Sequence, residues 1–571
     1  MTNPDIAAAF EQIADILEFQ NANQFRVRAY RNAARTIHDL GESAEEIVHD
    51  TDRSLTDIEG IGKDLAEKIT TLVETGTLPM LDELMAQVPE SVLAIMRVPG
   101  LGPKKAATLF RELKITSLDE LRTACESHRV QELPGFGAKS ETAILQGLEI
   151  ATEAGKRILW AEADAHVQSL LAYFKNSKTV KTIEAAGSYR RGKDTVGDLD
   201  LLAVAKDVDQ AMDALSHYEG VSQVIARGDT KMSIRLLHGL QVDLRIVPEE
   251  SFGAALQYFT GSKEHSVVLR GRAKQRGLKI NEYGVFRGEK SIAGRTEEEV
   301  YATLDLPWIP PELREARREF QWADAGELPE LIEVDDIRGD LHMHSTWTDG
   351  TATIEEMALA AKERGLKYIA MTDHSKRVAM VGGLDEKKLL KQWKDIDALN
   401  EKLTGITILK SVEVDILERG GLDISDDVLA QADYVVASLH YGHNQPREQI
   451  TRRAIEALEN PYVCTLGHPT GRMLLARKPY EIDLDAVIKA ARDNGKFLEL
   501  NAHPKRLDLD DVACAAAKDR GVPIAISTDA HRPDGLDVMR YGILQARRGG
   551  LTKQDVVNTR PWAQVKKMLG R

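Results

Sequence analysis

Residues 339–350 read GDLHMHSTWTDG. His342 and His344 stand one residue apart in an otherwise apolar run, and Asp349 follows five residues after the second histidine. On a strand, positions i and i+2 point to the same face, so the two imidazoles would be presented together. Working outward, the same design recurs to the end of the chain. Seven apolar runs, RGDLHMH, KYIAMTDH, ITILKSVEVD, DYVVASLH, YVCTLGHP, KFLELNAH and PIAISTDAH, alternate with helical stretches, and each carries His, Asp or Glu at or near its end. Such alternation predicts a parallel sheet, here a closed barrel, with its functional groups at the C-terminal ends of the strands. The groups gathered there are His342, His344, Asp349, His374, Glu413, His440, His468, Asp529 and His531. Imidazole mixed with carboxylate suits Zn²⁺, Mn²⁺ or Fe²⁺. Nine ligands exceed one tetrahedral site and predict a cluster of two or three ions. His503, in NAHPKRLDL, stands near a strand end outside that set.

The rest of the chain sets bounds on this reading. At roughly 150 residues per domain, 571 residues predict three or four domains. No run reaches the ~18 apolar residues of a membrane span. The opening MTNPDIAAAFEQIADILEFQ lacks a basic n-region and a cleavage site, and is expected to be an amphipathic helix rather than a signal peptide. Cys125, Cys464 and Cys514 are far apart and odd in number, which predicts a reducing, cytoplasmic setting and no disulfide framework. The net charge of −15 argues against a nucleic-acid partner on average. Locally, Lys263, Arg270, Arg272, Lys274, Arg276 and Lys279 face a single Glu264, a stripe that could hold a phosphate backbone or be a solvated helix face.

The first 150 residues read as short helices with a weak internal repeat: IEGIGKDLAEKI from 58, VPGLGPKKAATLF from 98 and LPGFGAKSETAIL from 133. Each has an apolar residue, Gly-x-Gly, then a helical pattern. Glycine permits a tight turn at positive φ, and the turn opens onto a helix N-terminus, where free N–H groups favour a phosphate. The pattern resembles the helix-hairpin-helix, which implies sequence-independent grip of DNA backbone through Gly60, Gly62, Gly100 and Gly102, with Lys104 and Lys105 following the second turn.

From about residue 151 the pattern becomes mixed α/β. VGDLDLLAV puts Asp198 and Asp200 at i, i+2 on one face of an apolar strand, and Asp243 sits mid-strand in LQVDLRIV. Buried carboxylates are costly unless paired or metal-bound. Arg190, Arg191 and Arg245 offer one solution. The Gly-Ser loop GSYRRG at 187–192 offers another, a triphosphate beside two divalent ions.

GSYRRG with GDLDLL, VDLR, YFTGS and the early AYRNAA together resemble a family X DNA polymerase, the DNA polymerase beta-like group, over residues 1–320. The resemblance implies a nucleotidyltransferase palm in which Asp198, Asp200 and Asp243 hold two Mg²⁺ or Mn²⁺ ions, with Asp243 the proton acceptor nearest the primer hydroxyl. It implies that Gly187, Ser188, Arg191 and Gly197 contact the incoming triphosphate. Tyr258, Phe259 and Gly261 would line the sugar pocket, and Arg270 would meet the template strand. Lys68 matches the Schiff-base lysine of a 5′-deoxyribose-phosphate lyase. The chain departs from the family pattern at Lys263 and Ser266, where Asp and Asn contact the base. It departs again at Gln241, in place of an arginine, and at Asp64, in place of a phosphate-binding lysine.

The motifs DLHMHS, MTDHS, SVEVDI, SLHYG, LGHP and STDAH resemble, in order, the polymerase-and-histidinol-phosphatase (PHP) domain. This implies a distorted (β/α)7 barrel that hydrolyses phosphoesters with two or three Zn²⁺ and/or Mn²⁺ ions. His342, His344, Glu413 and Asp529 would surround one ion, Asp349, His374 and His531 a second, and Glu413, His440 and His468 a third. The expected layout is a helical lyase-like and helix-hairpin-helix region at 1–150, palm at 151–250, thumb at 251–320, linker at 321–336 and PHP domain at 337–571. A polymerase followed by a PHP domain resembles the bacterial and archaeal PolX family. That implies a monomer, cytoplasmic and nucleoid-associated, acting on gapped or primed DNA with dNTPs, filling short gaps and trimming 3′ ends. Three competing expectations are a terminal transferase or end-processing nuclease, a DNA end-binding scaffold, and a small-molecule phosphatase.

Overall fold

The computed structural model describes the chain apart from residues 2, 39–43, 51, 52, 59, 89, 97, 99, 100, 155, 156, 238 and 571. Two compact units divide at Trp308 and Ile309. Among the described residues no helix is long and apolar enough to cross a membrane.

The first unit begins with helices. Asn3–Phe19 and Gln24–His38 pack through Phe10 and Tyr30, whose ring centroids lie 5.7 Å apart. In the hairpins the glycines of each pair divide the work. Gly60 and Gly135 take φ of +90° and +84°, the left-handed turn that glycine adopts freely. Gly62 and Gly102 are instead extended N-caps of Lys63–Thr75 and Pro103–Leu113. A Cβ built on Gly62, Gly102 or Gly137 would meet nothing within 4 Å, so these helix ends stay open to an approaching phosphate. Gly100 lies outside the described residues.

The palm is a five-stranded sheet in the order Thr182–Ala185, Asp198–Val204, Gln241–Ile246, Lys231–Leu236, Val221–Arg227. Strands Asp198–Val204 and Gln241–Ile246 run parallel, with Asp200 opposite Asp243. Leu199, Leu201, Ala203, Val242 and Leu244 alternate with the carboxylates and fill the core on the other face. Helices Phe252–Thr260 and Lys263–Gln275 follow, with a three-stranded antiparallel sheet of Lys279–Asn281, Gly284–Arg287 and Lys290–Ala293.

The second unit is the barrel. Seven parallel strands, Gly339–Met343, Tyr368–Met371, Thr407–Asp415, Tyr434–Ser438, Thr465–Leu466, Phe497–Asn501 and Ile524–Ser527, pair in chain order. All seven fall within the predicted runs. First and last meet: Asp529 N–H donates to His342 O at 2.9 Å and His344 N–H to Ala530 O at 2.8 Å. Every residue of the first, second, fourth, sixth and seventh strands is buried, as expected where helices cover a parallel sheet. The chain from Ile309 onward, which holds the end of the expected thumb and the expected linker, packs in this unit. Arg314 is fully buried, Arg317 pairs with Asp511, and Glu312 and Glu315 pair with Arg547 and Arg548.

Candidate metal centres

In the palm, strand pairing brings Asp198, Asp200 and Asp243 to one patch. Asp200 is pushed up to about 6 by burial and then by Asp198 and Asp243, the signature of acids that share too little positive charge. Asp243 is answered by the protein itself: Lys231 Nζ lies 2.6 Å from Oδ2 and Gln241 Nε2 donates to Oδ1 at 2.9 Å. Both hydrogen bonds oppose burial and hold this carboxyl below its ordinary value. Gly187 (φ +63°) abuts the triad so closely that a Cβ there would sit 2.4 Å from Asp200 Oδ2. Glycine is therefore required at this corner on two counts. Ser188 lies in the short helix Gly187–Arg190, and Gly197 joins strand Thr195–Val196 to Asp198. Arg191 donates to the Thr260 carbonyl beside Gly261, and Arg190 forms a two-toothed pair with Glu297 at 2.8 Å on both arms. Phe259 packs edge-to-face on Tyr258 and beneath the Arg245 guanidinium. The stripe arginine Arg270 is exposed on Lys263–Gln275. Lys263 is exposed as well, whereas Ser266 is buried.

Far from the palm triad in sequence, Lys68 lines a cleft of about 580 Å³ with Arg26, Tyr30, Lys63, Asp64 and Met80. Its ammonium is engaged by Asp64, the residue that replaces the expected lysine. Lys104 and Lys105 occupy the first turn of Pro103–Leu113, and Lys105 Nζ stands 5.7 Å from the Phe136 ring centre.

In the barrel all nine expected ligands converge. Their ligand atoms form four overlapping groups: His344, Asp349, His374 and His531; His342, Glu413 and His468; His342, His344 and Asp529; His374, Glu413 and His440. Glu413 is the hub, with His374 Nδ1 at 2.8 Å, His440 Nε2 at 3.2 Å, His468 Nε2 at 3.4 Å and His342 Nε2 at 3.5 Å. Against burial, the surrounding histidines hold Glu413 and Asp529 well below the carboxylate range. Burial, with His531 and His374 nearby, pushes His344 down to about 3 and keeps it a neutral donor. His342 Nε2, His344 Nδ1, Asp349 Oδ1 and both Glu413 oxygens are buried without a hydrogen-bond partner. Buried polar atoms are rarely left so. Anionic carboxylates, imidazole nitrogens without hydrogen-bond partners and water exclusion fit divalent cations.

A second row of polar groups, absent from the sequence reading, orients the first. Glu499 accepts from His342 Nδ1–H at 2.7 Å and from His468 N–H at 2.8 Å, so His342 Nε2 is left to face Glu413. Asn501 Nδ2 donates at 3.2 Å to both His468 Nδ1 and Asp529 Oδ2. Asp373 gathers Ser345, Thr348 and Gln392, and Asp340 gathers Thr528 and the His342 amide. Such partners fix tautomer and ring orientation in metal sites. The i, i+2 spacing of Glu499 and Asn501 in LELN was the available signal. Lys231 was missed as an Asp243 partner because only sheet register reveals the contact, whereas Gln241 lies two residues before Asp243 on the same strand, a local spacing that could have shown it.

Comparison with known proteins agrees with this geometry. Family models match a helix-hairpin-helix domain at 1–78, a SAM-like helix-hairpin-helix tandem at 52–114 and 92–149, and the DNA polymerase beta palm at 157–252. Others match the DNA polymerase beta thumb at 255–315 and the PHP domain at 340–503. A DNA polymerase/3′-5′ exonuclease PolX of Bacillus subtilis is 40% identical over 575 residues, 100% of both chains. A probable phosphatase of Thermoanaerobacter sp. is 35% identical over 232 residues, 38% of this chain and 89% of that protein. One of Syntrophotalea carbinolica is 28% identical over 231 residues, 38% and 90% respectively. Full-length similarity, together with palm, thumb and PHP matches in a single chain, places this protein in the PolX family of family X DNA polymerases.

Proposed function

We propose that the protein fills short DNA gaps by templated nucleotidyl transfer in the palm and removes nucleotides from 3′ ends in the barrel. The observation that carries the reading is the coexistence of two separate acidic centres in one chain. One is three carboxylates beside a Gly-Ser loop, the other nine ligands around Glu413. Mg²⁺ or Mn²⁺ in the palm, and two or three Zn²⁺ or Mn²⁺ ions in the barrel, would polarise phosphoryl oxygens and acidify the attacking hydroxyl or water.

The chain's own groups do the rest. Asp198, Asp200 and Asp243 form the palm donor set, and Asp243 accepts the primer 3′-hydroxyl proton once released from Lys231. Gly187, Ser188, Arg191 and Gly197 cradle the triphosphate. Tyr258, Phe259 and Gly261 bound the sugar. In the barrel, Glu413 and Asp529 bring charge, and the six histidines and Asp349 complete the donor set. Gly60, Gly62, Gly100, Gly102, Lys104 and Lys105 hold phosphates on either side of a gap, and Arg270 holds the template. Lys68 is the candidate Schiff-base lysine for 5′-deoxyribose-phosphate lyase chemistry, once its amine leaves the Asp64 carboxylate. The working unit is a monomer at the nucleoid, with helical region, palm, thumb and PHP domain following one another in chain order.

The test uses a 5′-labelled primer on a gapped template with Mn²⁺, with and without dNTPs. Wild type lengthens the primer with dNTPs and shortens it without them. Asp198→Ala only shortens and His344→Ala only lengthens. Extension by every dNTP regardless of template base would instead support a terminal transferase, and persistent shortening in His344→Ala would remove the barrel as the nuclease.

A further inference from the structure

The histidine left outside the ligand set sits on an unusually constrained loop, His503–Asp508. Its ends are fixed by Ala502 N–H to Ser527 O at 2.7 Å and by Asn501 N–H to Asp508 O at 2.5 Å. Asp508 is fully buried and accepts from Thr470 and Gly471. The Arg472 guanidinium donates to the carbonyls of Arg506 and Leu507. Leu507 has φ +43°, a conformation a leucine keeps only when its surroundings impose it.

This scaffold projects two polar side chains beside the metal-ligand cluster. Arg506 is three-quarters buried, with side-chain exposure of 23%, and its Nε lies 3.9 Å from Asp529 Oδ2. Among the described residues its guanidinium makes no hydrogen bond, so five donors remain unused at the edge of the cluster. His503 accepts the Lys505 N–H on Nδ1 at 3.3 Å, which leaves the proton on Nε2. A largely buried guanidinium that has a carboxylate nearby but no hydrogen-bond acceptor is costly unless an anion completes it. A planar fork of this kind matches two oxygens of one phosphate.

We infer that Arg506, with His503 beside it, grips the non-bridging oxygens of the phosphodiester held at the barrel cluster. The inference rests on the reading of the barrel as a phosphoesterase. Arg506 also answers the negative charge that grows on the phosphate during attack, as preorganised donors do.

The experiment uses the full chain loaded with Mn²⁺, with inorganic phosphate as a competitive inhibitor of shortening of a 5′-labelled oligonucleotide. Arg506→Ala, Arg506→Lys and His503→Ala are compared with wild type for phosphate inhibition, kcat, KM and bound metal. Arg506→Ala is expected to lose roughly 10²-fold in kcat/KM, to resist phosphate, to keep its metal, and to recover partly with added guanidinium. Arg506→Lys falls between, and His503→Ala loses less. Unchanged phosphate inhibition in Arg506→Ala would overturn the inference. So would loss of metal with it, since Arg506 would then serve only to balance Asp529. A wild type that shortens nothing and ignores phosphate would instead sink the reading of the barrel itself.

Discussion

The palm and barrel centres are built to opposite plans. The palm has three carboxylates on the face of an open sheet, and one of them is already answered by Lys231 and Gln241. The barrel has nine ligands, with His342, His344 and Glu413 wholly buried, their metal-facing atoms unpaired, and a second row holding the rings. A site whose protein cation stands in for part of the charge can wait without metal and receive ions together with a nucleotide. A site with unpaired buried nitrogens and carboxylates is costly when empty, so ions resident in the folded protein are the expected state of the barrel. The two centres are thus expected to differ in when metal arrives, which chelation tests.

The largest expected effect separates the centres by substitution. Asp243→Asn should lower primer extension at least about 10³-fold, beyond the ~10²–10³ of a single oxyanion donor, and leave shortening intact. Glu413→Gln should do the reverse and weaken metal binding, because two of the four ligand groups include Glu413 and have no other carboxylate. Gel assays paired with elemental analysis check both. Equal loss of both activities in either variant would mean the centres are not independent.

Chelation sharpens the contrast next. Brief treatment with a chelator followed by its removal should abolish extension until Mg²⁺ is returned, while metal and shortening activity persist in the barrel. Simultaneous loss of both would contradict a resident cluster.

Smaller again is the effect of the second row. Glu499 accepts two donors at once, from His342 Nδ1–H and His468 N–H. Glu499→Gln can satisfy only one, since its amide would face the other with a second donor. Metal affinity should fall about 10–100-fold, as for comparable outer partners, with extension unchanged. Competition with a chromogenic chelator reads this directly.

How much of this was legible beforehand follows from where each contact lies along the chain. The barrel ligands follow strand ends, so one local rule, a polar residue closing an apolar run, finds His342, His374 and Asp529 alike. Asp198 and Asp200 are visible because period-2 alternation is local. Glu499 was hidden because its partner is 157 residues away, and a glutamate in LELN reads as an ordinary strand residue. The division of labour between Gly60 and Gly62 needed backbone angles, since both glycines look alike in the pattern. The packing of 309–336 was hidden because several of its charged residues find partners in distant helices, such as Arg318 with Asp519.

Lys231 gives the smallest and most telling test. It lies directly opposite Arg245 on the neighbouring strand, two positions from Ser233, which faces Asp243. Its ammonium reaches Asp243 Oδ2 at 2.6 Å with 38% of the side chain exposed. A pair this open is worth about 0.2–1 kcal/mol, which any cation taking its place must overcome. Lys231→Met should therefore lower the Mg²⁺ concentration for half-maximal extension by about 1.4–5-fold, the same energy expressed as a ratio. The barrel's metal requirement should not move. The direction is the informative part. If Lys231 only anchored the sheet or held DNA, the variant would need more Mg²⁺ or more DNA, not less. A rise in the Mg²⁺ requirement would show that the lysine assists the ions, and the contrast between a waiting site and a resident one would then rest on the barrel alone.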